Sequence, residues 1–327
     1  MPHTPTLLLG YHNVLPTAAF GGDSAGLPAF REQLRTIARR CTVVPFGRGA
    51  VHNPNRRPTV ALTFDDGYRD NASLVVELLG ELGLPATFFL VTSFLDGTDY
   101  PWWELVAALC AHPDVTALDG GGRSFSLTSH EARTDARHEL ERMGNAVELA
   151  KRDELLAELI ASAGAAGADA VAEAKDRTPM MGWSEAKALV DAGFSIGSHT
   201  ARHAILARED ATVVASQLQD SKRRLQDELG IEVTTFAYPR GAADDIDDDA
   251  ARLVREAGYR HAVTTIPGLN VAGTAPMRLR RLVLEPAMGT TVLLRAVATQ
   301  LGGAAARALF SLAPPARRVS RTPRPSA

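Results

Sequence analysis

The stretch Thr59-Val60-Ala61-Leu62-Thr63-Phe64-Asp65-Asp66-Gly67 decides how this chain is read. Its first six residues form a mostly apolar run of strand length, rich in β-branched and aromatic side chains. Two adjacent carboxylates close the run, and Gly67 permits a sharp turn into the helix-like pattern that starts at Tyr68. Neighbouring like charges raise one another's pKa unless a cation lies beside them. A local role is also open to them. Asp65 or Asp66 can cap the next helix by accepting its free N–H groups. The choice between a cap and a charged site rests on the remainder of the chain.

Outward from this stretch, strand and helix patterns alternate. Upstream, Thr6–Tyr11 is a short apolar run ending in His12-Asn13. Pro28 to Cys41 carries Phe30, Leu34, Ile37 and Cys41 at helical spacing, Thr42 to Pro45 suits a short strand, and Arg48 to Pro58 reads as loop. Downstream, Leu74, Val75, Leu78, Leu79 and Leu82 mark a helix that Gly83 and Pro85 end. Ala86–Val91 is a second strong strand, and Pro101-Trp102-Trp103-Glu104 opens another helix.

The alternation lapses from about His112 to Thr178, where a Gly-rich turn precedes a long stretch rich in Ala, Glu, Arg and Leu. This segment is expected to be a helical insertion without strands, with His130 and His138 on its surface. The pattern resumes with Ser184 as expected N-cap of a helix over Glu185–Ala192, then the strand Phe194–Gly197 and the run Ser198-His199-Thr200-Ala201-Arg202-His203. A helix over Ala211–Leu229 follows, then the strand Val233–Tyr238, Pro239-Arg240-Gly241, an acidic turn, a helix ending at Gly258, and strands at His261–Thr265 and Leu279–Leu284.

Repeated strand–helix units imply a parallel sheet. At least six units with polar residues just past the strand imply a barrel, because βα barrels gather their chemistry at the C-terminal ends of their strands. His12, Asp65, Asp66, His199, His203 and Arg240 all take that position. Their predicted meeting on one rim weighs against a mere cap. The expected organisation is one barrel over residues 1–290, interrupted at about 112–178, and a C-terminal helix and tail over 291–327. The tail from Pro314, rich in Arg and Pro, is expected to be disordered, with peripheral contact to anionic lipid as its one membrane role.

Composition narrows the function. The chain has 327 residues and a net charge of −3, which gives no reason to expect nucleic acid as partner. Its two cysteines, Cys41 and Cys110, form no metal or disulfide pattern and are expected as buried thiols. No stretch is long and apolar enough to span a membrane, and the N-terminus lacks signal-peptide features, so the expected location is cytoplasmic.

His199 and His203 stand four apart, and a helical turn would place both imidazoles beside one ion. Two His and a carboxylate form a common site for Zn²⁺ or a similar divalent metal. Of Asp65 and Asp66, one can ligate and the other can take a proton from an activated water.

Together these residues resemble a known family. Thr63-Phe64-Asp65-Asp66-Gly67 and Ser198-His199-Thr200-Ala201-Arg202-His203 are similar to the first two signature motifs of the polysaccharide deacetylases, the NodB-homology group of carbohydrate esterases. Phe236-Ala237-Tyr238-Pro239-Arg240-Gly241 is similar to the third. The resemblance spans roughly residues 6 to 290. It implies a distorted (β/α)₇ barrel and metal-dependent removal of acetyl from N-acetylhexosamine units of a polysaccharide or its precursor. It implies Asp66, His199 and His203 as metal ligands, Zn²⁺ foremost, and Asp65 as general base. It also implies Arg240 and Tyr238 as substrate-binding residues, with the Arg240 N–H helping to hold the oxyanion.

Two departures qualify the resemblance. The third motif normally begins with an Arg that pairs with the base, and Ala237 stands there. Arg240, Arg278, Arg280 and Arg281 are candidate substitutes, unranked. The last motif normally ends in a His acting as general acid, and none lies near Leu279–Leu284. The Tyr11-His12 start resembles a branch of the family, associated with exported polysaccharides, in which an early His completes the site. His12 is therefore expected as the acid, with His261 a second candidate at the wrong end of its strand. Trp102 and Trp103 are candidates for a sugar-stacking wall or for helix packing. Two other functions stay open: a deacylase or amidase of a small non-sugar substrate, and a carbohydrate-binding protein without catalysis.

Overall fold

A computed structural model of the chain describes residues 5–15, 26–47 and 57–311. The expected disordered tail and most of the loop expected at 48–58 lie outside the described residues. The strands are β1 (Thr6–Tyr11), β2 (Thr42–Val43), β3 (Thr59–Phe64), β4 (Ala86–Leu90), β5 (Ala117–Gly120), β6 (Arg123–Ser126), β7 (Ser195–Ser198), β8 (Thr235–Ala237), β9 (His261–Val263) and β10 (Arg281–Val283). Seven of them follow one parallel path, β10-β1-β3-β4-β7-β8-β9. A parallel bridge between Val263 and Leu279 brings the two ends of the path together, so the sheet is a near-closed barrel. β2 pairs with the lower part of β3, beneath the residues that β4 takes.

Sequence parity sets what faces inward. Every residue of β3 is buried, because its two faces meet different layers. Val60, Leu62 and Phe64 join Leu7, Leu9, Tyr11 and Phe88 in the shell beneath the helices. Leu8, Ala61, Phe89, Ala237 and Val263 form a separate cluster with Val44 and Phe46 inside the barrel. By the same alternation Thr63 and then Asp65 belong to the interior side, and Asp65 arrives at the mouth.

The outer helices follow the expected patterns. α1 (Gly26–Arg40) buries Phe30, Leu34 and Ile37. α2 (Val76–Leu82) ends at Gly83, and the first turns after the Asp-Asp-Gly run form a short π-helical stretch over Asn71–Val75. Asp70 accepts hydrogen bonds from the Val14 and Leu15 N–H groups at 2.7 and 2.8 Å, tying the segment after His12 to the segment after Gly67. Ser184 is not the cap expected of it: α8 (Trp183–Asp191; α3 to α7 are given below) starts at Gly182, whose N–H donates to Glu185 Oε2 at 2.9 Å. α9 (Ala211–Leu229) is capped by Asp210, which accepts from Thr212 and Val213, and buries Val214, Leu218, Leu225 and Leu229. α10 (Asp248–Glu256) precedes β9, and α11 (Thr290–Leu301) and α12 (Gly303–Ser311) end the described chain. Leu293 and Val297 of α11 enter the main core.

A four-residue turn, α3 (Thr92–Leu95), and then α4 (Trp102–Ala111) lead into the insertion, which continues with α5 (His130–Asn145), α6 (Leu149–Ser162) and α7 (Gly164–Arg177). It is not free of strands: β5 and β6 form an antiparallel hairpin closed at Gly121-Gly122. A second hydrophobic cluster unites it, from Trp102, Val106 and Leu109 to Leu118, Leu140 and Leu159. His130 and His138 are exposed, and Cys41 and Cys110 are buried free thiols, as expected. Among the described residues no single helix is long and apolar enough to cross a membrane.

Gly197 shows how little room the barrel interior leaves. A Cβ there would stand 2.4 Å from the Phe89 ring and 2.7 Å from Thr235 Oγ1. Gly197→Ala is expected to cost about 1–3 kcal/mol through overpacking. Denaturant unfolding checks this, with a lower midpoint and an unchanged slope as the expected result.

Candidate active site

The strand ends deliver Asp65, Asp66, His199 and His12 to one mouth. Asp65 is the first residue past β3, and its N–H donates to Tyr11 O at 2.9 Å, which fixes it beside the end of β1 and hence beside His12. Arg281 completes its surroundings. β10 pairs with β1 so that Arg281 lies opposite Leu8, an interior position. Its side chain passes Gly10, where an added Cβ would come within 3.0 Å of Arg281 Cδ. It then donates to Thr63 Oγ1 at 3.2 Å and bidentately to Asp65 Oδ1 and Oδ2 at 2.7 and 2.6 Å. Both side chains are at most 2% exposed. Of the four arginines considered, Arg281 is the one that pairs with Asp65. Arg240 faces Asp245, Arg278 pairs with Asp248, and Arg280 donates to Pro267 O. Burial alone would raise the Asp65 pKa, but the Arg281 guanidinium, joined by the nearby His199 and His12, outweighs it and holds the carboxyl below the usual range.

Asp66, His199 and His203 form a compact trio whose candidate ligand atoms all lie within 4.8 Å of one another. His199 Nε2 and His203 Nε2 stand 3.3 and 3.5 Å from Asp66 Oδ1. That oxygen is buried and has no hydrogen-bond partner among the described residues, and the same is true of His203 Nδ1. His199 Nδ1 is 2.8 Å from Ala237 O, so this nitrogen carries the proton in the neutral ring and the Nε2 lone pair faces Asp66. Burial, together with the neighbouring His199 and Arg152, keeps His203 neutral by lowering its pKa. Burial opposes a charge on His199, but Asp66 and Asp65 outweigh it and raise its pKa. An orphaned carboxylate oxygen, a neutral imidazole and a tautomer fixed from behind suit a divalent metal.

The loop that carries the two histidines is not the helical turn that their spacing suggested. Thr200 and His203 have φ of 67° and 53°, and the chain between them has no helical structure. Asp66 and Arg240 share this left-handed conformation at 72° and 59°. These four are the positive-φ residues other than glycine among the described residues, and all four sit at or next to the site. Such backbone costs of order 1–3 kcal/mol per residue and persists where the surroundings enforce it.

A cavity of about 390 Å³ opens over the trio, with Asp65, Asp66, His199, His203, His12 and Arg240 on its walls. Tyr238 also borders it, but its hydroxyl donates to Met277 O at 2.9 Å and so faces away. His261 lies at the other end of the barrel against Phe46. Trp102 and Trp103 both line the cavity, and Trp103 packs on the His203 ring at 4.6 Å between centroids. Sequence reasoning missed the Trp103 Nε1 to Tyr68 Oη to Glu104 Oε1 chain, with distances of 2.9 and 3.1 Å. Burial pushes Glu104 up to about 7, although its bond from Tyr68 opposes this. A glutamate in an otherwise apolar helix was the available signal. Glu141 and Asn145 of α5 were missed because the insertion looked like surface.

The polysaccharide deacetylase family model matches residues 52–262, about two thirds of the chain. None of the curated protein sequences compared with the chain matches it. Solved structures share the fold at low identity. The deacetylase PplD from Streptococcus pyogenes is 16% identical, with TM-score 0.53, over 90% of this chain and 98% of that one. IcaB from Ammonifex degensii is 18% identical, with TM-score 0.54, over 90% and 97%. A de-N-acetylase from Aggregatibacter actinomycetemcomitans is 16% identical, with TM-score 0.53, over 89% and 99%. His12 and Arg281 fall outside the matched range of the family model.

Arg281→Met would leave Asp65 buried without its partner, at an expected cost of about 3–5 kcal/mol. A carboxylate with a lowered folded pKa contributes stability above its unfolded pKa and loses it as pH falls through the folded value. The variant should therefore lose stability chiefly near neutral pH, and the acid limb of its kcat/KM profile should move to higher pH. Thermal melts across pH and a pH–rate profile check both outcomes. With its Asp-Asp-Gly run, its histidine pair and a seven-strand barrel beneath them, the chain belongs to the polysaccharide deacetylase family.

Proposed function

We propose that the protein is a metal-dependent hydrolase that removes N-acetyl groups from N-acetylhexosamine units of a polysaccharide or of its precursor. The observation that carries this reading is the meeting of an Arg-paired carboxylate, an Asp-His-His trio and His12 on one cavity. Family membership supports the reaction class.

Asp66, His199 and His203 would hold the metal, with Zn²⁺ the first choice for this donor set. A divalent metal, when bound, supplies Lewis-acid polarisation of the acetyl carbonyl and activation of water. Asp65 accepts the proton that water loses as its oxygen bonds to the carbonyl carbon. Arg281 keeps Asp65 ionised and oriented while it waits for that proton. Arg240 offers its backbone N–H to the developing oxyanion. As the C–N bond breaks, His12 gives a proton to the departing amine. The products are acetate and a free amine. Tyr238 shapes the wall through its ring rather than through its hydroxyl.

A second reading, hydrolysis of a small non-sugar amide, is favoured by the size of the cavity and by the insertion residues that wall it. A binding protein without chemistry would have no use for an ionised base beside three converging ligands.

Acetate release from N-acetylglucosamine oligomers tests the reaction. The expected result is release that a chelator abolishes and Zn²⁺ or Co²⁺ restores, with Asp65→Asn lower by about 10²–10⁴-fold. Bound metal with acetate released only from small acetamides would favour the second reading. His12→Ala should lower kcat by about 10²-fold or more on the sugar. The loss should shrink on 4-nitroacetanilide, whose weakly basic amine needs less proton assistance. An equal loss on both substrates would remove His12 from the role of acid.

A further inference from the structure

The insertion contributes none of the motif residues, yet α6 docks on the loop that holds both histidines. Arg152 donates Nη1–H to His203 O at 3.1 Å and Nη2–H to Arg202 O at 3.2 Å. Arg202 returns a bond to Asp153 Oδ2 at 2.9 Å, and Glu209 accepts from the Leu149 N–H at 2.7 Å. The first turn of α6 and the segment 202–209 are thus fastened in both directions.

Arg152 is 5% exposed, and its guanidinium lies over the Trp102 ring at 5.6 Å. Its Nε is buried with no partner among the described residues. Burying a guanidinium is costly, and carbonyl acceptors repay less of that cost than a carboxylate would. What the planar fork supplies is geometry, since it spans two successive carbonyls and fixes the two peptide planes that flank the His203 Cα. Between those planes His203 is held at φ 53°. The neighbouring Trp103 packs on the His203 ring, so the α4–α6 region constrains both the backbone and the ring of this residue.

We infer that Arg152 is a positioning residue for His203, which makes the insertion part of the metal centre. The inference rests on the assignment of Asp66, His199 and His203 as metal ligands. Charge and geometry oppose one another here. A guanidinium near a cation repels it, so removing the charge alone would tighten metal binding. Losing the fork would instead loosen it. The sign of the change shows which dominates.

The test uses the full chain, stripped by chelator dialysis, with Zn²⁺ affinity read by competition against a chromophoric chelator. Arg152→Met is expected to bind Zn²⁺ about 10- to 100-fold more weakly than wild type, the usual cost of losing support behind a ligand. The Co²⁺-loaded variant should show a changed visible spectrum, and Arg152→Lys should recover part of both. Melts of the metal-free proteins establish that the variants are folded. Should Arg152→Met fail to fold, Arg152→Lys carries the test with an expected loss of about threefold or more. Affinity equal to wild type or tighter in a folded variant overturns the inference. A wild-type protein that binds no Zn²⁺ overturns the ligand assignment itself, a separate outcome.

Discussion

The Arg281–Asp65 pair is the interaction on which the site depends. It places two opposite charges inside the barrel mouth, almost wholly out of water. Neither partner is tolerable there alone, because each would carry an unrepaid desolvation cost. Together they make parallel N–H···O bonds, a geometry that orients as well as attracts. The consequences run in two directions. Toward chemistry, the pair keeps Asp65 ionised beside His199 and His12. Toward the fold, it joins β10 to β3 across β1, fastening the last strand of the barrel to the strand that carries the motif.

The same mouth concentrates backbone strain. Asp66, Thr200, His203 and Arg240 all take left-handed conformations that glycine would adopt at less cost. Glycine could not supply the carboxylate of Asp66 or the imidazole of His203. The surroundings hold them: Thr200 Oγ1 accepts from the Ala204 N–H, and Gln217 accepts from the Arg202 N–H. A rigid barrel floor and a clamped loop together meet the need for fixed geometry that the proposed metal and proton chemistry imposes.

Much of this was legible from sequence, for definite reasons. The strands of the barrel are short apolar runs with turn signals on both sides, and their polar ends fall on one rim by topology. Asp65, Asp66, His199 and His203 lie within short motifs, so local reading reached them. Arg281 was legible only as one of four candidates, because its role depends on register. It reaches Asp65 through the space that Gly10 leaves open, and that alignment appears only when β10 is paired with β1. An arginine within the apolar run Leu279–Leu284 was a usable signal, since buried arginines are rare without a partner. The hairpin of β5 and β6 was missed although Gly121-Gly122 is a familiar hairpin turn, because its strands are short and half exposed. The histidine spacing suggested a helix because four residues fit one turn, and tertiary contacts imposed a different loop.

The account stands on an ionised, Arg-paired Asp65, and site-resolved titration measures this directly. The ¹³C chemical shift of the Asp65 carboxyl, assigned through Asp65→Asn, would be followed from about pH 8 down to about pH 4 in the metal-free protein. The account predicts an ionised carboxylate throughout that range, with protonation starting only below the ordinary aspartate value. A titration midpoint near pH 5 or above would contradict it, because Arg281 and the neighbouring histidines would then not outweigh the cost of burial.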